Sequence, residues 1–375
     1  MRKNNLLILL TLFLSSCNSV VNTPEPTLEP SEEVTLKPTV EPTVEPTQVK
    51  TEEPSIEVSN DPYFEGYEYK GDIIDYDTLQ VGVNDSYNIR KSIENEFKDA
   101  WIDIYIGNMD LAIPDVEDNI NGLVIGECEV NVVFDETYFD TFILNVVSKE
   151  YMDMNFKFDY ARLHKKTFTV FGASNSDITV IPSSYTQRQK LWCEQLVERF
   201  DMTMYNYAKS GATAGYCEGL VGKNPGRISI VGTYVVNRQE IIEGIKNSDY
   251  VFFNFGGNDT SYSCKIGEVG EVNEENYLTM ESFKGSYSYM IDKVRSINPN
   301  IKVVCMGMTP STWAAPTYSR PYMDGIIQDL AQEKNCKYVY FLDAWGENEF
   351  DTYAPDGTHP LTKGHTLLVE KLLNQ

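Results

Sequence analysis

Histidine is scarce in this chain. There are three in 375 residues, His164, His359 and His365, so few side chains are available as a base near neutral pH. Basic residues are outnumbered, 31 Lys and Arg against 56 Asp and Glu, for a net charge of −25. That balance excludes a binder of the nucleic-acid backbone, whose affinity comes mainly from Lys and Arg, and no nucleic-acid partner is expected. The seven cysteines contain no CxxC and no Cys/His pair at metal-ligand spacing, so neither a metal nor another cofactor is expected. The apolar run at the start, residues 6–14, is too short to span a bilayer as a helix. Aromatic residues are missing altogether from 18–62.

What stands in those places is informative. Arg2 and Lys3 precede the apolar run and Leu14-Ser15-Ser16-Cys17 closes it, the layout of a signal peptide. Its end resembles a bacterial lipobox, which implies cleavage before Cys17 and lipid on its sulfur; a secretory signal with an incidental cysteine is the other reading. Residues 18–62 repeat Pro, Thr, Val and Glu and cannot bury enough apolar surface to offset chain entropy. A Pro-rich, self-repelling stretch of this length stays extended and reaches on the order of 100 Å. The domain plan expected is therefore a signal peptide and lipobox over 1–17, a disordered linker over 18–62, a β-sandwich over 63–149 and an α/β domain over 150–375.

In the third segment, short apolar runs at 79–83, 101–106, 123–125, 130–134 and 141–147 are separated by Gly, Asn, Asp and Pro, which predicts an antiparallel sandwich. The stretch from Asn119 to Gly126, with the strands after it, resembles the bacterial immunoglobulin-like group 2 module, which implies a spacer or an adhesive role. Met152, Met154, Phe156, Phe158 and Tyr160 then alternate with polar residues and predict a docked edge strand. From Thr167 onward, buried runs at 167–171, 202–207, 250–255, 301–306 and 338–342 alternate with amphipathic stretches such as Trp192, Leu196 and Phe200. Alternation of this kind predicts a parallel sheet covered by helices on both faces.

Four blocks stand on that framework: Phe171-Gly172-Ala173-Ser174, Ser210-Gly211-Ala212-Thr213, Gly256-Gly257-Asn258-Asp259 and Asp356-Gly357-Thr358-His359-Pro360. A serine attacks an ester only when an imidazole takes its proton, and the imidazole needs an acceptor to hold its tautomer. Of the histidines only His359 lies three residues after an aspartate in a Gly-containing loop; His365 falls on an expected helix and His164 in a Lys-rich connector. The first three blocks follow the first three strands of the sheet, where ligands of such sheets collect.

The ordered set resembles the SGNH, or GDSL, hydrolases over roughly residues 165–375. The resemblance implies a three-layer α/β/α domain with a flavodoxin-like, five-stranded parallel sheet, preceded here by the small all-β immunoglobulin-like sandwich. It further implies Ser174 as nucleophile, Asp356 and His359 as the rest of a triad, and Ser174, Gly211 and Asn258 as oxyanion donors. Where the family has Gly-Asp-Ser this chain has Gly-Ala-Ser, so Ala173 replaces a carboxylate expected to brace the nucleophile turn. Ser176 is a second candidate nucleophile in the same loop. Trp313, Tyr318 and Arg320, in the loop after the fourth strand, are candidate substrate contacts through stacking on sugar rings, or alternatively lid packing. Cys217 and Cys264 each follow a block by a few residues, leaving a bridge near the site open, whereas Cys193 and Cys305 read as buried thiols.

These features together predict a serine esterase at the bacterial cell surface, lipid-anchored to the membrane with an extracellular catalytic domain. Its substrate would be an acylated, in particular O-acetylated, polysaccharide or another ester. The alternatives are a phospholipase or general carboxylesterase, and a non-catalytic glycan-binding surface protein.

Overall fold

The computed structural model describes residues 64–375 except 65, 72–73, 75–77, 94–96, 98, 225 and 314–316. The expected signal peptide, Cys17 and the 18–62 linker lie outside the described residues. The described residues fall within one compact unit.

Its first part is built from β1 (Glu68–Tyr69), β2 (Thr78–Gly82), β3 (Ser86–Asn88), β4 (Ile102–Ile106), β5 (Ala112–Pro114), β6 (Asn119–Gly122), β7 (Gly126–Phe134) and β8 (Tyr138–Val147). On β7 and β8 the alternate residues Val130, Val132, Phe134, Phe142, Leu144 and Val146 are buried, the period of two that turns one face of a strand inward. They share a core with Tyr87, Ala112 and Ile120 of the smaller sheet β3-β6-β5. Two sequence expectations fail here. The larger sheet is mixed rather than antiparallel, because β1 and β2 both run parallel to β8, one along residues 138–139 and the other along 143–147. Residues 123–125 are not a strand: Leu123 and Val124 both donate their N–H to the Leu111 carbonyl, which turns the chain outward.

The edge strand expected over 152–160 is replaced by two helices, α1 (Lys149–Asn155) and α2 (Tyr160–Leu163). Side chains cap both starts: Ser148 accepts from the Tyr151 N–H at 3.1 Å and Asp159 from the Arg162 N–H at 2.7 Å. Such caps satisfy donors that a helix start leaves bare, and they override the local alternation. The apolar face is real nonetheless, since Met152, Phe156 and Phe158 are buried and the two phenylalanines pack edge to face at 4.9 Å. Arg162 then ties the two parts. It donates to the Gln80 carbonyl at 2.7 Å, lies over the Tyr87 ring, and its own carbonyl accepts from the Tyr250 hydroxyl at 2.9 Å.

The second part follows the expected alternation. Its strands are β9 (Thr167–Gly172), β10 (Thr203–Asn206), β11 (Tyr250–Asn254), β12 (Lys302–Met306) and β13 (Lys337–Val339), all parallel in the order β10-β9-β11-β12-β13. The helices are α3 (Trp192–Phe200), α4 (Glu218–Lys223), α5 (Gly232–Val235), α6 (Gln239–Lys246), α7 (Gly257–Ser261), α8 (Phe283–Ile297), α9 (Arg320–Glu333), α10 (Phe350–Tyr353) and α11 (Thr362–Leu373). Strand residues alternate between two cores. Phe168, Val170, Phe252, Val304 and Met306 pack against α3 and α11; Phe171, Val251, Phe253, Val303 and Cys305 pack against α5, α6, α8 and α9. This is a three-layer α/β/α arrangement with the flavodoxin-like strand order. Each fully buried side chain of this size contributes roughly 1.5–3 kcal/mol, so the layers hold the carboxyl ends of the strands as a firm rim.

Candidate active site

β9 ends at Gly172, and Ser174 stands two residues beyond it on that rim. Its Oγ lies 3.0 Å from His359 Nε2, and His359 Nδ1 lies 2.7 Å from Asp356 Oδ2. The residues 185 positions apart in sequence are thus brought together. The i,i+3 spacing of Asp356 and His359 has a local reason. Asp356 Oδ1 accepts from the Thr358 N–H at 2.9 Å and the His359 N–H at 2.7 Å, an aspartate turn that fixes the loop, while Oδ2 serves the imidazole. Gly357 within the turn has φ +78°, and a Cβ there would lie 2.1 Å from Thr312 Oγ1, so only glycine fits.

Burial disfavours the charged form of Asp356, but hydrogen bonds from Ser184 Oγ, the His359 N–H and ring, and the Thr358 N–H outweigh it and bring the group down to about 2. An ionised carboxylate can only accept. His359 must therefore carry its proton on Nδ1, which leaves Nε2 as the acceptor facing Ser174. Two further side chains brace this end. Ser184 Oγ donates to Asp356 Oδ2 at 2.6 Å, and the Tyr185 hydroxyl donates to the His359 carbonyl. Burial, together with the nearby Asp356 charge, pushes Tyr185 up to about 12, so it remains a donor. Sequence reasoning missed both, because the irregular loop that holds them carries no periodic signal.

Of the three oxyanion candidates, Ser174 and Asn258 line one cavity and Gly211 is not among its lining residues. No hydrogen bond among the described residues uses the Ser174 or Gly211 N–H. Gly211 has φ +81°, a left-handed conformation that turns the loop after β10. Asn258, in the first turn of α7, donates from Nδ2 to the Ala212 carbonyl at 2.9 Å, which leaves one amide N–H. Asp259 fastens the two loops underneath: its carboxylate accepts from the Ala214 N–H at 2.9 Å and the Gly256 N–H at 3.0 Å.

Ser176 is not placed to compete with Ser174. It is fully buried and accepts from Trp192 Nε1 at 3.1 Å. His365 is enclosed in α11, where burial and the neighbouring His359 push it down to about 3, and His164 stacks on Tyr160 at 4.7 Å. Cys217 and Cys264 form a disulfide with their Cα atoms 5.1 Å apart; Cys193 and Cys305 are buried free thiols.

A cavity of about 580 Å³ opens over Ser174 and His359, lined also by Asn258, Lys223, Trp313 and Arg320. Of the three substrate contacts expected, Trp313 is 64% exposed at this cavity and Arg320 reaches into it. Tyr318 does not line it. Its ring stacks on Tyr322 at 5.7 Å and packs on the core.

A serine, an imidazole and a carboxylate in hydrogen-bonded series at the rim of a three-layer α/β/α sheet are an arrangement able to support acyl transfer. The chain belongs to the GDSL-like lipase/acylhydrolase family, whose model matches residues 170–367, just over half of it. It is similar to the uncharacterized protein YpmR of Bacillus subtilis, 23% identical over an alignment of 150 residues that covers 36% of this chain and 56% of that one. The match thus spans little more than half the length of that relative. Among solved structures it is similar to a protein from Lactobacillus plantarum, 15% identical with a TM-score of 0.42 over 56% of this chain and 96% of that one. It is also similar to a putative GDSL-like lipase from Bacteroides ovatus, 14% identical with a TM-score of 0.38 over 56% and 96%. A third is Axe2, an acetylxylan esterase from Geobacillus stearothermophilus, 16% identical with a TM-score of 0.37 over 56% and 94%. Likeness this distant says nothing about substrate.

Proposed function

We propose that the protein is a lipid-anchored serine esterase outside the cell that removes O-acyl groups, acetyl foremost, from a polysaccharide. The observation that carries the reading is the series Ser174 Oγ, His359 Nε2, His359 Nδ1, Asp356 Oδ2, with spacings of 3.0 and 2.7 Å. His359 takes the Ser174 proton as Oγ attacks the ester carbonyl, and Asp356 stabilises the imidazolium. The Ser174 and Gly211 N–H groups and the remaining Asn258 amide N–H receive the oxyanion. Collapse of the adduct expels the sugar alkoxide, protonated by His359, and a water activated by the same imidazole releases the acyl group as acid. Trp313, exposed at the mouth, offers a face for a sugar ring.

Lipid on Cys17 and the Pro-rich 18–62 segment would carry the enzyme away from the membrane surface, with the β-rich part as a spacer. The Cys217–Cys264 disulfide supports an oxidising compartment. Purified protein incubated with p-nitrophenyl acetate and a fluorophosphonate probe tests the catalytic claim. Hydrolysis and labelling lost together in Ser174→Ala are the expected result. Absence of both in the wild-type chain would instead favour a glycan-binding surface protein, a reading that Ala173 at the nucleophile turn keeps in view.

A further inference from the structure

Arg320 begins α9 at the edge of the catalytic cavity, and its guanidinium is only partly accounted for. One Nη1–H donates to the Thr309 carbonyl at 3.1 Å. Nε is buried with no hydrogen-bond partner, and among the described residues no carboxylate pairs with the group. In a chain with 56 acidic residues, a half-buried cation without a counter-charge is unusual, since burial penalises an unpaired charge. Burial alone pulls Arg320 down to about 10, so it stays protonated at neutral pH.

A second orphan lies beside it. Asn175, the residue after Ser174, donates from Nδ2 to Thr309 Oγ1 at 3.3 Å, while its Oδ1 is buried without a partner. Thr309 thus holds both residues, one through its hydroxyl and one through its carbonyl, with an unmet donor on one and an unmet acceptor on the other. Lys223, exposed at the end of α4, brings a second positive charge to the same cavity. The one carboxylate lining it, Asp356, is occupied by Ser184, Thr358 and His359.

We infer that this corner of the cavity is a subsite for a negatively charged group, carboxylate or phosphate, on the alcohol part of the ester, with an adjacent hydroxyl donating to Asn175 Oδ1. The inference rests on the esterase reading and narrows it: the substrate is an O-acylated anionic glycan rather than a neutral one. The Arg320 guanidinium lines the cavity and offers an anion charge-assisted hydrogen bonding, and binding there supplies the missing counter-charge.

Calorimetric binding tests this on the full chain carrying Ser174→Ala, so that turnover plays no part. The probes are a galacturonic acid trimer, its neutral methyl ester, and glycerol phosphate. One charged probe should bind at least about tenfold tighter than the neutral ester, as expected for a charge-assisted pair, and the advantage should shrink with added salt. Whichever anion binds tighter identifies the charged group. Arg320→Gln should erase the preference and Arg320→Lys restore part of it, with circular dichroism confirming that each variant is folded. Equal affinity for the acid and its methyl ester, no binding of either anion, or a preference that survives in folded Arg320→Gln would overturn the inference. The comparison of charged and neutral probes on the chain with Arg320 intact stands even where an Arg320 variant does not fold. Anion binding together with failure of the wild-type chain to label with fluorophosphonate would defeat the esterase reading instead.

Discussion

The Asp177 carboxylate accepts a hydrogen bond from the Ser210 N–H at 2.8 Å, joining the loop that carries Ser174 to the loop that carries Gly211. Its other oxygen takes the Thr179 N–H at 3.0 Å and the Thr179 hydroxyl at 2.6 Å, so the group is buried but satisfied. Asp177 lies three residues past Ser174 and ties its loop to the next one, on a chain where Ala173 has no carboxylate to do so.

Asp177→Ala should therefore loosen the Gly211 N–H from the oxyanion position and lower kcat by about 10- to 100-fold, with KM for p-nitrophenyl acetate changed far less. The estimate follows from the cost of losing or displacing one such donor. Asp177→Asn keeps an acceptor for Ser210 and should recover most of the rate. Steady-state kinetics on the pair checks this; a shared loss in kcat and KM, or no recovery in the Asn variant, argues against a positioning role.

Ser174 and Ser176 should separate cleanly. Ser174→Ala removes nearly all turnover, and Asn258→Ala costs roughly 10²- to 10³-fold in kcat through one oxyanion donor. Ser176→Ala keeps turnover but destabilises the fold by about 1–3 kcal/mol, because the indole N–H of Trp192 is left buried and unpaired. Urea unfolding read beside esterase rates distinguishes the two serines.

The disulfide should matter more for binding than for chemistry. Cys217 caps α4 and Cys264 follows α7, so the bridge fixes the segments that bring Lys223 and Asn258 to the cavity. Its sequence separation of 47 corresponds to about 4 kcal/mol of loop-closure entropy. The double change Cys217→Ala with Cys264→Ala should lower Tm by on the order of 5–10 °C and raise KM on a polymeric substrate more than it lowers kcat. Scanning calorimetry with and without reductant gives the same comparison on the unmodified chain.

The sheet and its rim were legible from sequence because buried parallel strands read as continuous apolar runs, and all five, from β9 to β13, lie within a residue or so of the expected positions at most ends. β13 is shorter, since Phe341 and Leu342 already turn toward the loop before α10. The four blocks were legible as an ordered set resembling a known family, and Asp356 has a local need as well in closing its own turn. What stayed hidden depends on partners distant in sequence. The parallel pairing of β1 and β2 with β8 leaves no mark on any one strand. Residues 152–160 alternate like a strand, yet Ser148 and Asp159 cap helices there. Ser184, Tyr185 and Asp177 gain their roles only once the loop carrying them folds over His359 or Ser210.

Asp259 links this architecture to pH. Burial raises its carboxyl to about 7, against the opposing pull of hydrogen bonds from the Ala214 and Gly256 N–H groups. An acid whose folded pKa is raised keeps a proton that the unfolded chain has already lost, so between about pH 4 and pH 7 stability falls as pH rises. Below pH 4 both states are protonated, and above about 7 both are ionised with the penalty fully present. Asp259→Asn removes the titration while retaining an acceptor at the same place. The difference in Tm between wild type and Asp259→Asn should therefore drift against the wild type from pH 4 to 7 and level off beyond, a trend scanning calorimetry in a pH series would resolve. Parallel Tm curves across that range would mean that the carboxylate ionises without penalty, and that the loops bearing Gly211 and Asn258 are held by an ordinary charged cap.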